Sequence, residues 1–152
     1  MRESENNFMD ITRRDQLTLL LPALATIAAS RAQAADLPTL KSVAYRFEDL
    51  PSHPSGQNVS HAIFDGLLHT GFRIEAHETE LGPGQQPHAP HHHADEEMMM
   101  VCDGTLDFTV NGKTTRLGPG GLGFAGSNDE HGLKNPSSDT RARYFVIAFG
   151  PA

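Results

Sequence analysis

A period-two alternation of apolar and polar residues stands out over residues 72–77. Phe72, Ile74 and Ala76 interleave with Arg73, Glu75 and His77, as in a half-buried strand with one face on a core. On this phase the apolar set faces inward, and Glu75 and His77 face away. Strands are predicted over 60–68 and 71–81, joined by a short turn at His69-Thr70. More follow over 97–102, 105–110, 113–117, 122–125, 131–134 and 141–149. The last run holds Tyr144, Phe145, Val146, Ile147 and Phe149, types that suit a pleated surface. Asn111-Gly112 signals a type I′ hairpin, whose two central residues need positive φ. Gly82-Pro83-Gly84 marks a sharp turn, 50–57 reads as a loop on its Pro and Gly content, and 43–49 reads as an edge strand or arm. Many short strands, frequent Gly and Pro turns and no sustained helical period predict an all-β sandwich or barrel.

The N-terminus has a different pattern. Thr12-Arg13-Arg14-Asp15-Gln16-Leu17 leads into an apolar stretch, followed by Ser30-Arg31 and then Ala32-Gln33-Ala34. Paired arginines, a modest apolar region and a small-x-small site resemble a twin-arginine export signal. Pro22 argues against a buried helix of the folded domain. The stretch also falls short of the roughly 20 apolar residues that span a bilayer. The expected organisation is a signal peptide over 1–34, an arm and loop over 35–58, and a β-domain over 59–150. The mature protein is then periplasmic or secreted, with no membrane association after signal removal.

Charge and cysteine content narrow the partners. Arg2, Arg13, Arg14 and Arg31 balance Glu3, Glu5, Asp10 and Asp15, so the whole formal charge of −7 resides beyond Ala34. An acidic domain without a basic stripe does not suit nucleic acid. The single Cys102 has no intramolecular disulfide partner. It follows Glu97 by an odd number of residues, so on one strand it faces the other way and reads as a buried small hydrophobe.

The chemistry concentrates in His91-His92-His93-Ala94-Asp95-Glu96-Glu97, with Gly104 beyond it and a distant His131 and Asn135. On a strand, His91 and His93 share a face and His92 points away. Residues 94–96 leave room for a turn, and Glu97 re-enters at the head of an apolar run. Glu96 has the opposite phase and faces solvent. Three imidazoles and a carboxylate suit Fe, Mn, Zn, Ni or Cu better than Ca or Mg. The alternative is a solvated His-rich loop, to which His88 and His92 would contribute. The in-phase Glu97, the apolar strand after it and the distant His131 favour a built site.

These residues resemble the cupin superfamily. Its first motif, G-x5-H-x-H-x3/4-E-x6-G, is met by Gly84, His91, His93, Glu97 and Gly104, with one extra residue after Gly84. Its second, G-x5-P-x-G-x2-H-x3-N, is met by Gly120, His131 and Asn135, with Gly126 in place of Pro and Asn128 in place of Gly. These departures fall in a turn, where Gly and Asn do similar backbone work.

The resemblance implies a small jelly-roll barrel enclosing one divalent transition metal per chain, held by His91, His93, Glu97 and His131. Fe or Mn is favoured, because export in the folded state would allow loading away from tightly binding Zn and Cu; Zn, Ni and Cu also fit the ligands. Met99 and Val101 are expected to line the pocket. His88, just upstream of the ligand pair, is the candidate catalytic base or substrate contact. An open coordination position would admit a small-molecule substrate or dioxygen. The expected function is a dioxygenase-like enzyme or a related decarboxylase or isomerase; the alternative is a non-catalytic cupin binding a metal or small molecule. Uncovered sheet edges and the pairing habit of cupins imply a homodimer, with residues 40–49 available to a neighbour's sheet.

Overall fold

The computed structural model describes residues 37–150, so the expected signal peptide lies outside the described residues. The elements in order are a 3₁₀ turn at Phe47–Asp49, then β1 (Ser52–Ser55), β2 (Asn58–Leu67), β3 (Arg73–Leu81), β4 (Glu96–Asp103), β5 (Leu106–Val110), β6 (Lys113–Leu117), β7 (Leu122–Ala125), β8 (His131–Lys134) and β9 (Ala142–Gly150). A six-stranded antiparallel sheet runs β1-β2-β3-β9-β4-β7, and a three-stranded one runs β6-β5-β8. The expected jelly roll is present.

The most β-prone run takes the most enclosed place, since β9 lies between β3 and β4. Ala142, Tyr144, Val146 and Ala148 are buried and alternate with half-buried neighbours. Both sheets feed one core, in which Leu81, Met99, Val101, Tyr144 and Val146 meet Leu106, Phe108 and Leu133. Each such side chain stabilises the fold by about 1.5–3 kcal/mol through removal of apolar surface from water. Gly123 keeps the sheets close, because a Cβ there would lie 2.8 Å from the Phe108 ring. Asn111 (φ 47°) and Gly112 (φ 76°) form the positive-φ pair that the β5–β6 hairpin needs.

Four features differ from the sequence reading. Residues 43–49 form no strand; their one regular element is the 3₁₀ turn. Ser52–Ser55, read as loop, is an edge strand, where Pro54 can sit without breaking a ladder. The arm is tied to its own chain, with Leu40 N–H donating to the Leu67 carbonyl at 2.9 Å and Leu67 N–H to that of Pro38 at 2.9 Å. Cys102 lies at a register shift between Val101 and Asp103, which leaves it half-buried.

The phase of β3 is also inverted. Thr79 pairs with Tyr144 and His77 with Val146, so Glu75, His77, Thr79 and Leu81 form the inner face. Phe72 precedes the strand and is 56% exposed. Ala76 is buried, yet it pairs with Phe64 and Ile147 on the outer face. That face is apolar because the arm covers part of it. Tyr45 packs on Phe64 with ring centroids 5.8 Å apart, and Phe47 on His61 at 4.7 Å. A strand with two partly apolar faces gives an ambiguous alternation.

Candidate metal centre

His131 opens β8 and is joined to His91 by an isolated bridge: His91 N–H donates to the His131 carbonyl at 3.0 Å, and His131 N–H to that of His91 at 2.8 Å. His93 follows outside any strand, its carbonyl accepting the Asn128 N–H at 2.7 Å. Asn128 makes this contact from a left-handed conformation (φ 63°), the backbone work expected at a position where the motif has Gly. His91 and His93 therefore sit on a short bridge and loop rather than on a continuous strand. His91 and His93 still converge, and His92 between them is exposed. Asp95, in the same loop, is held by Arg73 at 3.2 Å, and Arg73 also grips Asp65 through two bonds of 2.9 Å.

One donor atom from each of His91, His93 and His131 lies within 4.8 Å of the others, close enough for the three to hold a metal ion. Glu97, near the start of β4, reaches the same point. Its Oε1 is 3.1 Å from His93 Nε2 and its Oε2 is 3.3 Å from His131 Nε2. Two of the imidazoles are fixed in orientation and tautomer. His93 Nδ1 lies 2.9 Å from the Asp95 carbonyl and His131 Nδ1 lies 2.8 Å from that of Asp129. A carbonyl only accepts, so each Nδ1 carries the hydrogen and each Nε2 keeps its lone pair. This is how metal-binding histidines are commonly oriented. His131 is 3% exposed, and its Nε2 has no hydrogen-bond partner among the described residues. A buried lone pair of this kind is costly unless something ligates it. His91 Nδ1 is also buried without a partner among the described residues. Burial pushes the His91 imidazole below the usual histidine range, and His88, His131 and His93 add to that shift while Glu97 opposes it. The result favours the neutral ring that a metal requires.

A cavity of about 340 Å³, counted with its open mouth, adjoins the cluster. Glu97 and His131 line it, and Met99, Leu133, Tyr144 and Val146 give it apolar surface. Met99 lines it as expected, whereas Val101 is buried in the core and does not. Burial pushes the Tyr144 phenol well above its ordinary value, with Thr79 opposing and Glu97 reinforcing the shift, so its hydroxyl stays a hydrogen donor. His88 also lines the cavity; it is exposed, packs edge-on against His91 at 4.2 Å, and its Nδ1 lies 2.9 Å from the Ala89 carbonyl. His77 is a pocket residue that the alternation of Phe72, Ile74 and Ala76 hides. Counting back from Leu81 through Thr79 recovers it, because Leu81 is the fully buried anchor of that strand.

Residues 77–148 match the Cupin domain family. L-ectoine synthases of Bordetella parapertussis and Bordetella bronchiseptica are each 34% identical over 86 residues, which is 56% of this chain. The matched region spans 63% of their own length. Among solved structures, KdgF from Halomonas superposes with a TM-score of 0.63 at 14% identity, covering 74% of this chain and 96% of that one. An RmlC-like cupin from Shewanella frigidimarina gives 0.59 at 18% identity, over 74% and 93%. The solved-structure neighbours show that the protein has the cupin fold, and the domain match lies within it.

Proposed function

We propose that the protein is a metal-dependent small-molecule enzyme, with one divalent transition-metal ion held by His91, His93, His131 and Glu97. The observation that carries this reading is the buried Nε2 of His131, oriented by the Asp129 carbonyl, without a hydrogen-bond partner among the described residues and 3.3 Å from a carboxylate oxygen. Three neutral imidazoles and one carboxylate suit Fe or Mn, with Zn, Ni and Cu also compatible. Bound there, such an ion supplies Lewis acidity toward a chelating carbonyl, enol or carboxylate.

The chain's own residues do the rest. Met99, Leu133 and Val146 exclude water from one side of the cavity. Tyr144 would offer a hydroxyl donor, and the exposed His88, which also lines the cavity, would contact substrate. The likeness to L-ectoine synthases supports an enzyme. Their substrate is not carried over, because the match covers only part of those proteins. Dioxygenase-like, decarboxylase and isomerase chemistry all use such a centre. Elemental analysis of purified protein tests the reading. One redox-active ion per chain supports it, and variable substoichiometric metal favours a non-catalytic binder.

Two further proposals concern the protein's setting. Residues 1–34 act as a twin-arginine-type signal, so the mature protein is periplasmic or secreted; failure of this leader to export a folded reporter overturns that. The mature protein is a homodimer, supported by Met100, Leu122 and Phe124, each more than two-fifths exposed on the outer face of β4 and β7. No helix among the described residues is long and apolar enough to cross a membrane.

A further inference from the structure

Glu75 and His77 lie two residues apart on β3, on the face turned toward the cavity. Nδ1 of His77 is 2.9 Å from Oε1 and 3.1 Å from Oε2 of Glu75. A carboxylate accepts, so Nδ1 carries the hydrogen and the lone pair is left on Nε2. That nitrogen has no hydrogen-bond partner among the described residues. The arrangement repeats what the backbone carbonyls do for His93 and His131, with a stronger, charged acceptor. The cross-strand rows fix its relation to the metal cluster. Glu75, Ala148 and Glu97 occupy one row across β3, β9 and β4, and His77, Val146 and Met99 occupy the next. His77 thus stands two strands from the Glu97 side of the pocket, about 10 Å backbone to backbone at the usual strand spacing. His77 lines the same cavity as Glu97 and His131.

We propose that Glu75 and His77 are a proton-transfer pair for this centre, acting on small molecules in which a chelating carbonyl or 2-oxo carboxylate is flanked by an acidic C–H. The proposal rests on the metal-site reading above. In the step, the C–H bond breaks and its proton forms an N–H bond at His77 Nε2. The electron pair stays on the substrate, delocalised onto the carbonyl oxygen, where Tyr144 is placed to donate. Return of the proton to the same or a neighbouring carbon completes an exchange or an isomerisation, with no oxidant or reductant consumed. Orientation of a base by a third group is a general feature of such pairs. His77 is the catalytic residue and Glu75 the positioning residue.

The first test uses the metal-free protein. Histidine ¹⁵N spectra should show His77 protonated on Nδ1 and bare on Nε2, and this preference should disappear in Glu75→Ala while His93 and His131 keep theirs. Protonation of His77 mainly on Nε2 in the wild type overturns the pair. The second test uses the Co(II)-loaded protein with pyruvate as probe, following deuterium uptake at the methyl group in D₂O by NMR. Wild type should exchange faster than His77→Gln by about 100-fold, the lower range for a positioned base, at equal metal content and equal circular dichroism. Equal rates in wild type and His77→Gln, or a wild-type rate no faster than free Co(II), overturn the proton-transfer role alone. Failure of the wild type to take up Co(II) overturns the metal reading and, with it, the role built on it.

Discussion

Nδ1 of His131 lies 2.8 Å from the carbonyl oxygen of Asp129, and this one bond decides which nitrogen of a buried imidazole is left to ligate. His93 is set in the same way by Asp95. The cluster is therefore pre-oriented, and loss of any one ring should cost more than loss of a supporting bond. Supporting bonds are worth about 10–100-fold in affinity. We expect His91→Ala, His93→Ala and His131→Ala each to weaken metal binding by on the order of 100-fold or more. His92→Ala, altering an exposed side chain, should change it little. Competition with a chelator measures all four, and equal losses in His92→Ala and His93→Ala would overturn the assignment.

Metal occupancy should fall cooperatively on acidification, because protons compete for three imidazoles at once. Free histidine titrates near ~6.5 and free glutamate near ~4.3. The His91 ring is already held below the usual histidine range by burial and by its histidine neighbours. It therefore stays neutral further into acid than a free ring, and metal loss should begin below the free value. The metal-free fold carries the matching sign. The unfolded chain binds a proton at His91 before the folded one does, so stability present above about pH 6.5 is lost as pH falls toward the folded value. Metal content followed beside far-UV circular dichroism separates the two transitions. Release in step with a carboxylate alone would exclude the three-histidine site.

The sequence carried the residues of the histidine cluster, most strand boundaries and the hairpin, because most of these are local in origin. His91, His93, Glu97 and Gly104 follow a fixed spacing, and Gly104 is held to it by its backbone. Its φ is 71°, and a Cβ would meet the Arg141 carbonyl oxygen at 2.6 Å. Asn111-Gly112 announces its own turn. Other features depend on partners far along the chain. Ser52–Ser55 is a strand only because Asn58–His61 returns beside it. His77 faces the pocket because Tyr144 and Val146 fix the phase of β3, while Tyr45 and Phe47 make the opposite face apolar as well. His91 and His93 look like a strand in sequence and are a bridge and loop in space, since His91 pairs with His131 alone.

Asn135 should prove a structural clamp rather than a functional residue. It is fully buried; its Nδ2 donates to the Gly82 carbonyl at 3.0 Å and the Thr140 carbonyl at 2.8 Å, and its Oδ1 accepts the Ser137 N–H at 3.0 Å. It ties the end of β8 to the end of β3 and to the turn into β9. Asn135→Ala leaves the buried Gly82 carbonyl, worth about 1–3 kcal/mol, and the part-buried Thr140 carbonyl and Ser137 N–H without this partner. We expect a loss of roughly 2–4 kcal/mol in urea unfolding, with the metal affinity of the remaining folded protein within a few-fold of wild type. A change under about 0.5 kcal/mol, the range of ordinary surface substitutions, would show that the network does not hold the turn.

The outer face of β4 and β7 should be the dimer surface. Met98 pairs with Phe124 and Met100 with Leu122, so four apolar side chains form one patch beside Phe145 and Ile147. Leu122 is 56% and Phe124 52% exposed, and β7 is the edge of its sheet. Contiguous apolar surface of this kind on a soluble domain marks an interaction site, and an uncovered edge adds free backbone donors and acceptors. The arm lies on the same face, with Phe47 over His61 and Arg143 at 5.9 Å from its ring, so a second copy would extend an apolar surface the chain has partly covered itself. Phe124→Lys puts a charge at the centre of the patch and leaves the core untouched. Light scattering should give a dimer for the wild type at micromolar concentration and a monomer for Phe124→Lys, with the circular dichroism spectrum and metal content unchanged. A wild-type monomer, or a dimer that survives the substitution, excludes this face as the interface.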